Sequence, residues 1–115
     1  MQETIEKIVH FLDEKKATDI EVFDLSDRDY VARAVILANS LGGKHTSALY
    51  DYLRVEVKKY GLQVIAADDS DDWIAIDLGE ILIHLMTPEY RMRYSLEEFL
   101  REIKEGSHQE DTLQI

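Results

Sequence analysis

The residue types best suited to chemistry lie together within residues 73–86. A hairpin is predicted here, because two short runs rich in branched side chains flank a tight turn at Gly79-Glu80. In that hairpin Asp77 lies diagonal to His84, within reach of a hydrogen bond, and Trp73 lies on the same face. Three interpretations of this face stay open. A helix could cover the face, with Asp77 and His84 satisfying each other by a hydrogen bond. The face could instead be a binding surface anchored by Trp73, or Asp77 and His84 could form a pair for metal binding or catalysis.

The opposite face of the hairpin is aliphatic throughout, so it must point into a core. Its members are Ile74, Ile76, Leu78, Ile81, Ile83 and Leu85. Shifting one strand by one residue would exchange its two faces, so this uniform set argues against any other register. The mixed face is then formed by Trp73, Ala75, Asp77, Leu82, His84 and Met86.

Two further segments have the composition of ligand sites but lack the spacing. Residues 40–45, Ser-Leu-Gly-Gly-Lys-His, precede a helix, where backbone N–H groups can bind an anion. They lack the P-loop pattern, so a capping loop around His45 is the favoured interpretation. The acidic segment at 68–72 lacks the glycine and the distal glutamate of an EF-hand loop, which favours a solvated loop.

Arg91, Arg93 and Tyr94 follow the hairpin closely. Arginine and tyrosine together are typical of the rim of a protein interface. The same arginines would equally pair with nearby carboxylates, and both interpretations stay open.

The chain is strongly acidic, with 24 Asp and Glu against 13 Lys and Arg and a formal net charge of -11. Such a surface repels phosphate backbones, so we expect little direct nucleic-acid binding. The charge either keeps the protein soluble or steers it toward a basic protein partner.

The expected compartment is the cytoplasm. The 115 residues contain no cysteine, which excludes thiol chemistry and disulfides. No apolar run approaches the roughly 20 residues of a membrane-spanning helix. The acidic, amphipathic start at residues 1–8 is unlike a signal or transit peptide. We therefore expect no membrane partner.

Hydrophobic periodicity predicts an α/β fold in one domain, over residues 1–106. Besides the hairpin, the predicted helices lie near 5–16, 44–60 and 95–105, and the predicted strands lie at 20–25, 32–38 and 62–67. The order strand, helix, strand from 32 to 67 predicts a right-handed parallel crossover. The result is a mixed sheet of about five strands with flanking helices, followed by a disordered polar tail at 107–115.

The second and third helices carry finer signals. The predicted buried stripe of the second helix is Leu49, Tyr52, Leu53 and Val57. Gly61 suits the left-handed position that ends this helix. For the last helix, Ser95 and Glu98 predict a capping box, and Tyr94 and Phe99 predict a hydrophobic staple.

The hairpin and the residues that follow it resemble the Iojap/RsfS family of ribosomal silencing factors. The family pattern has tryptophan, aspartate, Gly-Asp/Glu and histidine at the spacing found here, then arginine and Tyr-x-Leu-Glu. The matching residues are Trp73, Asp77, Gly79, Glu80, His84, Arg91, Tyr94, Leu96 and Glu97. Residues 19–25 match the family's first strand, and the resemblance extends over residues 5–103.

Two departures from the family pattern concern side chains that bind partners. Lys44-His45 stands where the family usually has Arg-His, so a bidentate arginine contact is lost. The family ending Leu-Glu-x-Leu-Trp becomes residues 96–100, Leu-Glu-Glu-Phe-Leu, which lack the tryptophan.

The resemblance implies a fold similar to the nucleotidyltransferase core, without its catalytic Gly-Ser and paired aspartates. It implies a protein with no cofactor or enzyme activity that binds a basic large-subunit ribosomal protein, blocks joining of the small subunit and represses translation. The residues expected at or beside the docking surface are Trp73, Asp77, Glu80, His84, Arg91, Tyr94 and Glu97. The alternative is a nucleotidyltransferase-like enzyme dependent on a divalent metal, and a homodimer of the free protein stays open.

Overall fold

The computed structural model describes residues 1–70 and 72–106, and the predicted disordered tail lies outside this range. Helix α1 (Gln2–Glu14) precedes strands β1 (Thr18–Asp24) and β2 (Ala34–Asn39). Helix α2 (Gly43–Glu56) continues as a 3-10 turn (Val57–Tyr60). Strands β3 (Ala66–Asp69), β4 (Trp73–Asp77) and β5 (Ile81–Met86) follow, and then helices α3 (Pro88–Tyr94) and α4 (Leu96–Glu105).

The five strands form one mixed sheet in the order β1-β2-β5-β4-β3. Strand β2 runs parallel to β5, and the other three pairings are antiparallel. The predicted α/β class with a mixed five-stranded sheet is confirmed.

Strand β3, which follows α2, is not a neighbour of β2 in the sheet, although a simple crossover would place it there. Two successive antiparallel pairings make β3 parallel to β5 and therefore to β2, but β5 and β4 separate them. The predicted strand at 62–67 begins too early, since Leu62 and Val64 pack against the core as a connection. Pairing starts only at Ala66, opposite Asp77, and it continues to Asp69. Two of the five residues of the predicted acidic loop, Asp68 and Asp69, are therefore strand.

The predicted hairpin register is confirmed. Asp77 pairs with Leu82, and Ala75 pairs with His84. At the turn the Leu78 N–H donates to the Ile81 carbonyl over 2.9 Å. All six residues of the aliphatic face are buried and form one core with side chains of α1 and α2.

Helix α2 differs from its prediction at Tyr52, which is 50% exposed. Leu49, Leu53 and Val57 are fully buried, and their spacing of four residues fills the buried stripe. Tyr52 lies about 100° away from Leu53 around the helix. Its ring instead lies beneath the Lys15 ammonium, 4.6 Å from the ring centroid. Gly61 has the predicted left-handed conformation.

The other face of the sheet is covered unevenly. Leu100 and Ile103 of α4 pack with Phe23, Val35 and Leu37 of β1 and β2. Strand β2 is therefore buried along its whole length, as its apolar run predicted. The part of this face formed by β4 and β3 lies beyond α4. No helix in the described residues is long and apolar enough to cross a membrane.

Candidate functional site

The uncovered part of the sheet forms a half-exposed strip. Ala75, Asp77 and Leu82 are neither buried nor fully exposed, and Ala66 and Asp68 of β3 are exposed. Ala66 pairs with Asp77 and Asp68 pairs with Ala75, so these side chains share one face. We call these five residues the open strip. Two alanines make its floor shallow, and two carboxylates make it acidic.

Trp73 and His84 interact at one end of the open strip. The indole Nε1–H of Trp73 donates to Nδ1 of His84 over 3.0 Å, and the ring centroids lie 5.8 Å apart. Since Nδ1 accepts, the proton of the neutral imidazole lies on Nε2. Burial lowers the pKa of His84 from 6.5 to about 4, because the surroundings disfavour the charged ring.

The predicted hydrogen bond between Asp77 and His84 is wrong. Trp73 and Asp77 are both diagonal neighbours of His84, so both side chains compete for the imidazole. The Asp77 carboxylate turns back to the hairpin and accepts the Gly79 N–H over 2.8 Å. Gly79 has a φ of +100°, a left-handed conformation that glycine adopts without crowding, and it continues the tight turn toward Ile81.

Helix α3 was not predicted, although its start has a recognisable pattern. Thr87 occupies the N-cap position, Pro88 the first helical position and Glu89 the first turn. From the sequence alone, Pro88 is expected only to end the strand before it. The helix places Tyr94 on Trp73, with ring centroids 5.4 Å apart, and Tyr90 lies 5.6 Å from Tyr94. We call Tyr90, Tyr94 and Trp73 the aromatic patch.

Arg91 pairs with carboxylates, one of the two interpretations that the sequence left open. Its side chain is only 7% exposed, and it contacts Glu21 at 3.2 Å and Glu97 at 3.3 Å. Burial alone raises the pKa of Glu97, but the hydrogen bond from Arg91 and its charge outweigh this, and the pKa is lowered. Arg93 is exposed on the same helix.

The predicted capping box at the start of α4 is wrong. Ser95 has a left-handed φ of 49° and no side-chain capping hydrogen bond. Its carbonyl instead accepts the N–H groups of Glu98 and Phe99. The hydrophobic staple between Tyr94 and Phe99 stays a prediction. Tyr94 packs on Trp73, and Phe99 contacts Tyr30 edge-on at 6.4 Å.

The loop before α2 is closed by His45, but no side chain caps the helix itself, so the predicted capping role is wrong. His45 Nδ1 accepts the Leu41 N–H over 2.8 Å, and Nε2 lies 2.8 Å from the Lys15 carbonyl. The hydroxyls of Ser40 and Thr46 lie 2.6 Å apart in the interior. Both ring nitrogens of His45 are thus occupied within the protein.

The structure divides the predicted site residues into two groups. Trp73, His84, Arg91, Tyr94 and Glu97 come together where β5 ends and α3 begins. Asp77 and Glu80 lie toward the hairpin turn, and about six residues of strand, or about 20 Å, separate that turn from Trp73. Glu80 is 66% exposed there and lies 3.6 Å from Arg33.

The described residues contain no group of three or more His, Cys, Asp or Glu side chains that could hold a metal. The residues at the aromatic patch are instead of the type that anchors protein interfaces, with aromatic rings at the surface and charged groups around them.

Two crystal structures of bacterial proteins share this α/β fold with a mixed sheet. The one from Chromobacterium violaceum has a TM-score of 0.80 at 24% sequence identity and covers 87% of this chain and 85% of its own. The one from Bacillus halodurans has a TM-score of 0.75 at 21% identity, with 86% and 94% covered. Identities this low establish the fold class alone.

Sequence comparison establishes the family. The model of the family described as "Ribosomal silencing factor during starvation" matches residues 1–114. The ribosomal silencing factor RsfS of Haemophilus influenzae is 32% identical over 95 residues, which are 81% of this chain and 93% of that protein. The chain belongs to the RsfS family of ribosomal silencing factors, as its hairpin pattern predicted.

A mouse relative extends the comparison beyond bacteria. It is named mitochondrial assembly of ribosomal large subunit protein 1, and it is 29% identical over 98 residues. The match covers 81% of this chain and 43% of the mouse protein.

Proposed function

We propose that this protein binds the large ribosomal subunit through a basic ribosomal protein at the subunit interface. Bound there, it blocks joining of the small subunit sterically and represses translation. The observation that carries the proposal is an aromatic patch beside an acidic open strip, in a chain of the ribosomal silencing factor family. The name of the mouse relative, which refers to the large subunit, agrees with this partner.

The aromatic patch supplies the anchor of the proposed interface. Tyr94 is 51% exposed, and Trp73 beside it is half-buried. Tryptophan and tyrosine dominate binding energy at interfaces because they bury much area with few rotatable bonds. In this arrangement Trp73 and Tyr94 contact the partner, while His84 and Arg91 support them from beneath.

The charge of the chain supports a basic protein rather than ribosomal RNA as the direct partner. The formal net charge is -11, and two carboxylates lie on the open strip itself. Ribosomal RNA repels such a surface, and a basic protein attracts it. Asp77, Glu80 and Glu97 are the proposed acidic contributors. The action needs no catalysis or cofactor, and it takes place in the cytoplasm with the ribosomes.

The first test compares two charge reversals with identical change in net charge. Asp68→Lys alters the open strip, and Glu6→Lys alters the exposed surface of α1, which packs against the opposite face of the sheet. Co-sedimentation with purified large subunits should fall about tenfold or more for Asp68→Lys and stay near wild type for Glu6→Lys. Equal loss for both variants would show that only net charge matters and would remove the open strip from the interface.

Charge reversal is informative at Glu80 but not at Glu97. Glu97 pairs with the buried Arg91, so a lysine there would place two cations together and disturb the fold. Glu80 is exposed, and Glu80→Lys therefore tests whether the footprint reaches the hairpin turn. Unchanged binding of this variant would confine the interface to the end near Trp73.

The blocking step needs its own measurement. Small subunits added to large subunits preloaded with this protein should fail to form joined ribosomes in a sucrose gradient. Normal joining with the protein still bound would contradict the steric mechanism while leaving the docking intact.

A further inference from the structure

Helix α3 carries two rings of the aromatic patch, yet it is attached to the sheet mainly by a charge. Arg91 is the single buried residue of this seven-residue helix. Met92 is 81% exposed and Tyr94 is 51% exposed. A surface helix ordinarily packs through a buried apolar stripe, and α3 has no buried apolar residue.

The Arg91 guanidinium makes hydrogen bonds to three different elements. Nη1 donates to the main-chain carbonyl of Asp19 and, over 3.0 Å, to the side-chain oxygen of Asn39. Nη2 donates to Glu21 over 3.2 Å, and Nε donates to Glu97 over 3.3 Å. Strands β1 and β2 and helix α4 are therefore joined to α3 through one planar group, whose fork of N–H donors a lysine cannot reproduce.

Strand β1 is irregular where it meets this guanidinium. Asp19 has a left-handed φ of 47°, and the pairing of β1 with β2 shifts its register between Thr18 and Glu21. The Asn39 amide donates to the Asp19 carboxylate over 3.2 Å, which holds this conformation. Such irregularities turn a backbone group away from the hydrogen bonds between the strands. Here the group that is turned away is the Asp19 carbonyl, which accepts a hydrogen bond from Arg91.

We infer that Arg91 is a positioning residue, whose buried guanidinium holds α3 on the sheet so that Tyr94 stays packed against Trp73. Tyr94 follows Arg91 by three residues, less than one helical turn. A shift of α3 therefore moves Tyr94 directly. Arg91 itself is too deeply buried to contact a partner, so it acts on docking through the two rings.

The test exploits a built-in reporter, since Trp73 is the single tryptophan of the chain. Its fluorescence emission and near-UV circular dichroism respond to the loss of a neighbouring aromatic ring. Tyr94→Ala supplies the reference spectrum, and its exposed side chain can be removed without opening the core. Arg91→Met should reproduce that spectrum, and the double variant should show no change beyond Tyr94→Ala.

Arg101→Met is the matched control. Arg101 also contacts Glu21, at 3.3 Å, and Glu97, at 3.9 Å, but it is 53% exposed and belongs to α4. This variant removes a cation from the same two carboxylates without touching α3, so its Trp73 spectrum should match wild type. A folded Arg91→Met protein with a wild-type spectrum, or effects of Arg91→Met and Tyr94→Ala that simply add, would overturn the inference.

A second variant serves if Arg91→Met does not fold. Glu97→Gln keeps an acceptor for Nε and removes one charge, so it weakens the attachment while Arg91 remains. It should shift the Trp73 spectrum in the direction of Tyr94→Ala by a smaller amount. An unchanged spectrum for a folded Glu97→Gln protein would also count against the inference.

The importance of this attachment for docking rests on the proposed function, and a separate arm tests it. Arg91→Met and Tyr94→Ala should weaken binding to large subunits to the same extent, about tenfold, and Arg101→Met should not. If wild-type protein fails to bind large subunits, the proposed function fails, while the spectra still decide the role of Arg91. If binding of Arg91→Met is normal and its spectrum is altered, the aromatic patch is not the docking surface.

Discussion

At the scale of single residues, His84 shows how burial decides the state of a titratable side chain. The imidazole is 9% exposed and accepts the Trp73 indole N–H on Nδ1. Protonation would charge the ring in a poorly solvated site and would end this hydrogen bond, since Nδ1 could no longer accept. The neutral ring is therefore part of the structure of the aromatic patch.

The lowered pKa of His84 predicts a pH-dependent stability. The folded-state pKa is about 4, below the ordinary value of 6.5, so the unfolded chain binds a proton first as the pH falls. The contribution of His84 is fully present above pH 6.5 and is lost as the pH falls to about 4. At ~1.4 kcal/mol per pKa unit, the upper limit of the loss is about 3.5 kcal/mol.

Urea unfolding between pH 7 and pH 4 measures this loss. Carboxylates titrate in the same range, so the relevant quantity is the difference between wild type and His84→Gln. The free energy of unfolding should fall more steeply for wild type, while the Trp73 emission of the folded protein should change only as the pH approaches about 4. Parallel curves for the two proteins would show that His84 is protonated as easily in the fold as in the unfolded chain.

At the scale of elements, the joint between α3 and α4 depends on one residue in an uncommon conformation. Ser95 ends α3 and precedes α4 with a φ of 49°, where a side chain crowds the following carbonyl. Its hydroxyl makes no capping hydrogen bond that would offset this. The joint nevertheless sets where Tyr94 lies relative to Trp73.

Substitutions at Ser95 distinguish this joint from a capping box. Ser95→Gly should stabilise the protein by up to about 1 kcal/mol, because relief of ~1–2 kcal/mol of left-handed crowding exceeds the greater chain entropy of glycine. Ser95→Ala should change the free energy of unfolding by less than about 0.5 kcal/mol. Thermal and urea unfolding measure both. A loss near 1 kcal/mol in Ser95→Ala would indicate a capping hydrogen bond after all.

At the scale of the whole molecule, the net charge of -11 governs encounter more than final affinity. The described body measures 40 × 31 × 22 Å along its principal axes, so several charges face an approaching basic surface at once. These exposed charges are screened within about 10 Å at 0.1 M salt.

Association with large subunits should therefore slow as salt rises. Between about 0.05 and 0.2 M monovalent salt, at constant magnesium, the association rate constant should fall about tenfold. The dissociation rate should change much less, because the aromatic patch holds the complex. Binding kinetics on immobilised large subunits measure both rates. An association rate independent of salt would mean that the charge serves solubility alone.

Some features of the whole molecule were determined by local pattern. Alternation along residues 73–86 determined the hairpin register, since a one-residue slip of either strand would expose its three aliphatic side chains and turn its polar face into the core. Helical periodicity likewise located α1, α2 and α4, with boundaries shifted by a few residues at most. The family was recognisable because its pattern lies in this same local segment. The docking residues themselves, and the resemblance to a nucleotidyltransferase core, stay predictions.

Tertiary structure alone decided the partners of the polar side chains. Asp77 and Trp73 are equivalent diagonal neighbours of His84 on the sheet, and packing beneath α3 selected Trp73. Arg91 donates a hydrogen bond to the carbonyl of Asp19, 72 residues away in sequence. A pattern that extends over a few residues cannot predict such a contact. Hydrophobic periodicity predicts which face of a helix or strand is buried, because each apolar side chain is stabilised by its own removal from water. A hydrogen bond needs two groups at one place and angle, and only the assembled chain brings them there.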